Sequence, residues 1–388
     1  MNKLIYLDYN ATTPTDPRVL EEMLPYFNTH YYNPSSLYKS ARDCRKAIEQ
    51  ARIKVASLLG AEPSEIIFTA GGTEANNLAI KGVAFANKNK GNHIITSKIE
   101  HPAVLNPCRW LEQQGFKVTY LGVDKYGVLD LDELKNSITQ ETILITIMHA
   151  NNEVGTIQPI REISELAHSR EVYVHTDAVQ TVGKLPIQVK ELGIDLLSLS
   201  GHKFYGPKGI GALYIKKGTL LDPLIHGGHH EKNKRAGTEN VSGIIGLGKA
   251  CEIAEAEMHP EEKKIKYLRE KLYNGIKNKV SDTMLTGHPE RRLTGTLSLC
   301  VSGVEGESML LELDAKGICA SSGSACTSAS LEPSHVLSAM GIPPEIAHSS
   351  LRFSLGRQNT EDEINYVMEV FPEIVARLRA ISPFYKKQ

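Results

Sequence analysis

The sequence predicts an α/β protein with a mostly parallel sheet in a large domain and a smaller α/β domain beside it. Two features carry that expectation. Between about residue 60 and residue 216, short β-rich runs alternate with amphipathic stretches, and several of the runs are almost continuously apolar. Strands of that kind are covered by helices on both faces. Near residue 258 the alternation gives way to a long charged stretch and then a shorter set of runs. A chain of 388 residues exceeds one ordinary core, so two domains are expected.

In chain order, the runs begin with "EIIFTA", followed by the helical pattern "GTEANNLAIKGVAFAN", then "HIITS", "PAVLNPCRWLEQQG" and "KVTYLG". "TILITIMHA", "VYVHTDA", "LLSLSG" and "GALYIK" complete the series. In the stretch "MHPEEKKIKYLREKLYNGIKNKV", a proline precedes a charged amphipathic pattern, which reads as a new helix and a domain boundary. Beyond it, "GTLSLCV", "GESMLLELDAKG", "ICAS", "SLRFSLG" and "TEDEINYVMEVFPEIVARLRAIS" supply a few strands backed by helices. The large domain is set at residues 15–258, and the small one at 1–14 with 259–388.

In parallel sheets ligands bind at the carboxyl ends of the strands, so the residues just after each run should share one crevice. "GGTEANN" follows the first run, with Gly72 and Thr73 where a helix begins. Glycines allow close backbone approach, and a helix N-terminus favours phosphate; a plain capping turn with Thr73 as N-cap is the alternative. His101 opens the helix after "HIITS", as a cap or as a functional imidazole. "NNEVG" places Asn152 beyond "TILITIMHA", in a turn or as a carboxylate-orienting amide. Asp177 ends "VYVHTDA", with Gln180 three residues on; a carboxylate there needs a cation or strong donor. Lys203 stands just past "LLSLSG", flanked by Ser200 and His202, and begins an exposed loop or is a reactive amine. Taken together, these positions supply what pyridoxal 5′-phosphate needs: an amine for its aldehyde, a carboxylate for its ring nitrogen and a phosphate cradle.

The order "GGTEANN", "EHPAV", "NNEVG", "HTDAVQ", "SGHKFYGPKG", "RAGTEN", "SSGSACTS" and "RFSLGR" resembles the cysteine desulfurases of the iron-sulfur-cluster and nitrogen-fixation type. The likeness runs from "YLDYNATTP" to "RLRAISP". It implies a pyridoxal-phosphate-dependent transferase of fold type I. By the same resemblance, Lys203 links to the cofactor and moves protons, Asp177 meets the pyridine nitrogen, Gln180 the ring hydroxyl, and His101 the ring face. Thr73, Ser200 and His202 match phosphate ligands. Thr238 matches a threonine that reaches the neighbouring subunit's phosphate, so a homodimer is implied. Arg352 and Asn152 match the groups that hold the substrate carboxylate; a buried structural pair is the alternative for Arg352. Cys326 matches the nucleophile that takes sulfur from L-cysteine, leaving alanine and passing the sulfur as persulfide to an acceptor or scaffold protein. Its setting, "SSGSACTSAS", is made of small residues that bury little apolar surface. Several relatives have glycine before "NPSS" and histidine soon after it, where this chain has Tyr32 and Tyr38.

The remaining features narrow the class. A net charge of -1 lacks the basic footprint of a nucleic-acid binder, and no apolar run is long enough to span a membrane. The N-terminus does not read as a secretory signal, so a cytoplasmic protein is expected. Six cysteines show neither a CxxC pair nor zinc spacing; apart from Cys326 they read as small buried residues, Cys319 at a strand end included. "HGGHH", with His226, His229 and His230, lacks a carboxylate or helical pair and reads as a polar loop. The competing classes are an aminotransferase or selenocysteine lyase of the same fold, and a non-catalytic scaffold for cluster-assembly proteins.

Overall fold

The structure is a computed structural model and describes residues 4–322, 333–382 and 385. After a short strand β1 (Ile5–Tyr6), the chain builds β2 (Ile66–Thr69), β3 (His93–Ser97), β4 (Lys117–Leu121), β5 (Thr142–Thr146), β6 (Tyr173–Asp177), β7 (Leu196–Ser200) and β8 (Gly211–Ile215). These last seven form one sheet in the order β2-β8-β7-β6-β5-β3-β4. All its pairings are parallel except those of β8, which runs against both neighbours. Consequently β2 points the same way as β3 to β7, and six carboxyl ends open on one edge. All seven runs read from the sequence are strands of this sheet.

Strand side chains alternate between two apolar faces. Ile66, Phe68, Ile95, Ile145, Leu197, Leu199 and Tyr214 face one core with the helices Lys39–Leu59, Ile160–His168 and the first half of Val241–Lys279. Ile67, Ile94, Leu144, Leu196 and Leu213 face the other with the helices Gly72–Ala86 and Pro102–Gln113. The near-continuous hydrophobicity follows from this: both faces of each strand lose water on folding, which stabilises by about 25 cal/mol per Å² of apolar surface.

Further along, β9 (Thr283–Leu285), β10 (Thr296–Val301) and β12 (Ser350–Ser354) make an antiparallel sheet with β10 central, while β11 (Ile318–Cys319) pairs in parallel with β1. Ile5, Leu7, Leu268, Leu299, Phe353 and Phe371 belong to the core of this second region. The helix expected to start after Pro260 does not start there. It is the continuous helix Val241–Lys279 with Pro260 inside it. Pro260 and Ala256, whose carbonyl loses its helical donor to the proline, are both exposed, so that carbonyl turns to water rather than to the core. Met258 packs on the first core and Leu268 on the second, so the sequence's boundary falls within one rod shared by both.

The amino-terminal segment ties the regions together at the crevice. Leu7 N donates to Cys319 O and Tyr9 N to Ser354 O, and then Thr13 N donates to His202 O at 2.9 Å. Residues 8–12 therefore run across the carboxyl edge of the large sheet. No described helix is long and apolar enough to cross a membrane.

Candidate active site

A cavity of about 320 Å³ lies at this edge, and Gly72, Thr73, His101, Asn152, Asp177, Gln180, Ser200, His202, Lys203 and Arg352 all line it. The sheet explains the convergence: each residue follows, or ends, a strand whose carboxyl terminus opens here, except Arg352, which projects from β12. Thr238 is exposed and stands apart from this cavity. Cys326 lies outside the described residues. Its flanks are described: Ser321 exchanges backbone hydrogen bonds with Arg352, and the hydroxyl of Ser334 donates to the carboxylate of Glu153.

Helix Gly72–Ala86 has Gly71 as its N-cap, so Thr73 sits within the first turn rather than at the cap. Gly71 has φ 151°, a conformation that favours glycine, and a Cβ on Gly72 would stand 2.6 Å from Val179 Cγ2. Bare backbone thus faces the cavity with amides that no preceding turn can satisfy. A more open recess of about 740 Å³ continues from it, lined by Gly71, Thr73, Ser200 and His202. His202 Nδ1 lies 3.0 Å from Thr12 Oγ1. Burial, then the cations Lys203, Lys208 and Lys184, push its pKa down to about 4, so the imidazole is neutral.

Asp177 is buried at the end of β6, accepting from Asn76 Nδ2 at 2.6 Å and from Val179 N at 3.0 Å. Behind it Glu100 is wholly buried; its oxygens accept from Met148 N and from Ser97 Oγ. Burial, reinforced by the nearby Asp177 carboxylate, raises Glu100 to about 8. At neutral pH Glu100 therefore favours its protonated form. His101 caps helix Pro102–Gln113, its Nδ1 accepting from Ala103 N at 3.1 Å, which leaves the proton of the neutral ring on Nε2. Burial lowers its pKa further, with Asp177 opposing and Lys203 and His335 assisting.

Lys203 Nζ donates to Asn10 O at 2.7 Å and to Ala11 O at 2.8 Å. Its side chain is half-buried and lines the same cavity as Asp177, contrary to the exposed-loop alternative. Arg352 is buried; Nη2 lies 2.8 Å from Asp8 Oδ1 and Nη1 donates to Asn152 O at 2.9 Å. Both terminal nitrogens thus have a structural pairing, while the buried Nε has none among the described residues.

Sequence reasoning missed Asp8, Asn10, Asn76 and Lys184. Asn76 lay inside the quoted "GGTEANN", and its place one helical turn beyond Gly72 was the available signal. The others reach the site through long-range packing. The donor set fits pyridoxal 5′-phosphate: an amine and a buried carboxyl group lining one cavity, and a glycine-opened helix N-terminus that can take a phosphate.

The pattern of the aminotransferase class-V family matches residues 5–367. A Methanosarcina thermophila protein named cysteine desulfurase IscS is 58% identical over 387 residues, covering 100% of this chain and 96% of its own. A solved structure described as a NifS-like protein superposes with a TM-score of 0.92 at 41% identity, covering 97% of this chain and 100% of its own. Another, described as SspA in complex with cysteine, gives 0.81 at 40% identity, covering 92% and 100%.

Proposed function

The chain belongs to the aminotransferase class-V family, and from that premise we infer that it is a pyridoxal-phosphate-dependent cysteine desulfurase that converts L-cysteine to L-alanine. The observation that carries this reading is the convergence of Lys203, Asp177 and Arg352 on one cavity from three separate parts of the chain.

When bound, pyridoxal 5′-phosphate supplies an aldehyde that an amine can take up and a protonated ring that withdraws electrons from the bonds around the attached carbon. Lys203 is the amine that would hold it, Asp177 the carboxylate for its ring nitrogen, and Gln180 the amide for its ring oxygen. Gly72, Thr73, Ser200 and His202 would hold the phosphate, and His101 would face the ring. Arg352 orients the carboxylate of L-cysteine by a charge-assisted bond, with Asn152 beside it. Lys203 is also the amine that would move the α-proton, and His101 Nε2 could shuttle a second one. Cys326 receives the sulfur: the carbon–sulfur bond of L-cysteine breaks, a sulfur–sulfur bond forms at Cys326, and the carbon is protonated to give alanine.

The persulfide so formed serves iron-sulfur cluster assembly or another sulfur-transfer route, handed to an acceptor or scaffold protein. The same reading includes a cytoplasmic homodimer in which Thr238 completes the partner subunit's phosphate site. The exposure of Thr238, away from its own cavity, supports that assignment. Incubating purified protein with L-cysteine, with and without reductant, tests the reading: alanine and protein-bound persulfide should form together. Cofactor binding without either product would overturn it.

A further inference from the structure

A second amine stands behind the crevice. Lys184 Nζ donates to Gln180 Oε1 at 3.1 Å and to Asn10 Oδ1 at 3.4 Å. Lys203 Nζ and Gln180 Nε2 meet the other oxygen of the same residue, Asn10 O, at 2.7 and 3.0 Å. Asn10 cannot rotate away from this task, because its Nδ2 donates to Thr296 Oγ1 at 2.9 Å and to Asn152 O at 3.1 Å. Lys203 and Asn10 line both the crevice and a small inner cavity of about 40 Å³, whereas Lys184 lines only the inner one. A ligand in the crevice therefore meets Lys203 and Gln180 but does not meet Lys184.

We propose that Lys184 is a positioning residue for Lys203 and Gln180, acting through Asn10 from behind the crevice. Two consequences follow from its chemistry. An ammonium has only donors, so it fixes the amide of Gln180 with its oxygen toward Lys184 and its Nε2 donating to Asn10 O, the oxygen that Lys203 also meets. Its charge also opposes a second charge at Lys203, as a neighbouring cation does for other reactive lysines. Burial, then Lys203 and Arg352, push Lys184 down to about 7. Tyr9 and Tyr205 also line the inner cavity. Glu261, on the inner cavity wall, is engaged by Arg357 Nε at 2.9 Å, and Glu262 lines the same wall. Asp177, His101 and His202 line the crevice side, and Lys208 lines the outer recess.

This inference rests on the cofactor reading above, and its test separates the two. Full-length protein stripped of cofactor is mixed with pyridoxal 5′-phosphate, and the rate at which the absorption band of the lysine-held cofactor appears is followed against pH. The wild-type rate should rise through an inflection near neutrality. For Lys184→Met the inflection should move up by about one unit, which slows capture about fivefold at neutral pH and about tenfold well below it. Lys184→Arg should keep the wild-type inflection. Asn10→Asp, which sets a carboxylate between the amines, should raise it and carries the test if Lys184→Met does not fold. Unchanged inflections in Lys184→Met, or in Asn10→Asp where the former is unfolded, would overturn the role of Lys184. Failure of the wild type to form any band would instead overturn the cofactor reading.

Discussion

Arg352 Nη2 and Asp8 Oδ1 are 2.8 Å apart, joining a strand of the second sheet to the amino-terminal segment 344 residues earlier. The carboxylate holds one nitrogen of the guanidinium and Asn152 O another, which fixes the side chain where it lines the cavity. Lysine at 352 could keep the pair with Asp8 but would lose the planar fork. Arg352→Lys should raise the KM for L-cysteine by about ten- to a hundredfold, the worth of roughly one charge-assisted hydrogen bond, while the cofactor absorption band stays in place. An unchanged KM would remove Arg352 from substrate binding.

Asp177 is a buried carboxyl lining the same cavity as Lys203, and Asn76 Nδ2 donates to it at 2.6 Å. Asp177→Asn preserves size and most hydrogen bonds but removes the charge that keeps a ring nitrogen protonated. Turnover should fall by about a hundredfold or more, with cofactor content nearly unchanged. Steady-state kinetics beside a cofactor assay would show it; wild-type turnover would exclude the assignment.

Gly72 leaves no room for a side chain, since a Cβ there would stand 2.6 Å from Val179 Cγ2. Gly72→Ala must push apart the helix start and the loop after β6, which borders the cofactor cavity. The expected cost is about 1–3 kcal/mol in stability, together with weaker retention of the cofactor on dialysis. Thermal unfolding and the cofactor content after dialysis measure the two effects.

Glu100 gives the stability a defined pH dependence. In the unfolded chain it ionises near its ordinary 4.5, but burial keeps it protonated in the fold up to about 8. Between those values the folded state binds more protons than the unfolded one, so this group lowers stability as pH rises through the window and adds no further loss above it. Glu100→Gln should therefore raise the melting temperature relative to wild type at mildly alkaline pH and give no such gain at acidic pH. Equal gains at both extremes would show that titration of Glu100 is not the cause.

Lys203→Ala and Cys326→Ala divide the reaction. The first should lose the absorption band of the covalently held cofactor. The second should still change the cofactor's spectrum on mixing with L-cysteine yet form neither alanine nor persulfide. Alanine release at the wild-type rate by Cys326→Ala would exclude the thiol.

Much of this molecule was legible because its signals are local. A strand covered on both faces must be apolar at every position, so the runs around Ile95, Ile145 and Leu197 declared the sheet. The residues just past those runs, His101, Asn152, Asp177 and Lys203, could then be placed at one edge. The helix around Pro260 was misread because proline usually marks a helix start; exposure of Ala256 and Pro260 let the rod continue.

By itself, then, the sequence determined the alternation of strands and helices and the chemistry presented at the strand ends, since both depend on residues near one another along the chain. Only the tertiary structure decided that Asp8, Asn10 and Lys184 stand behind Arg352, Gln180 and Lys203. Those contacts join segments up to hundreds of residues apart, and no periodicity or spacing records which distant backbone will cross a crevice until both cores have packed.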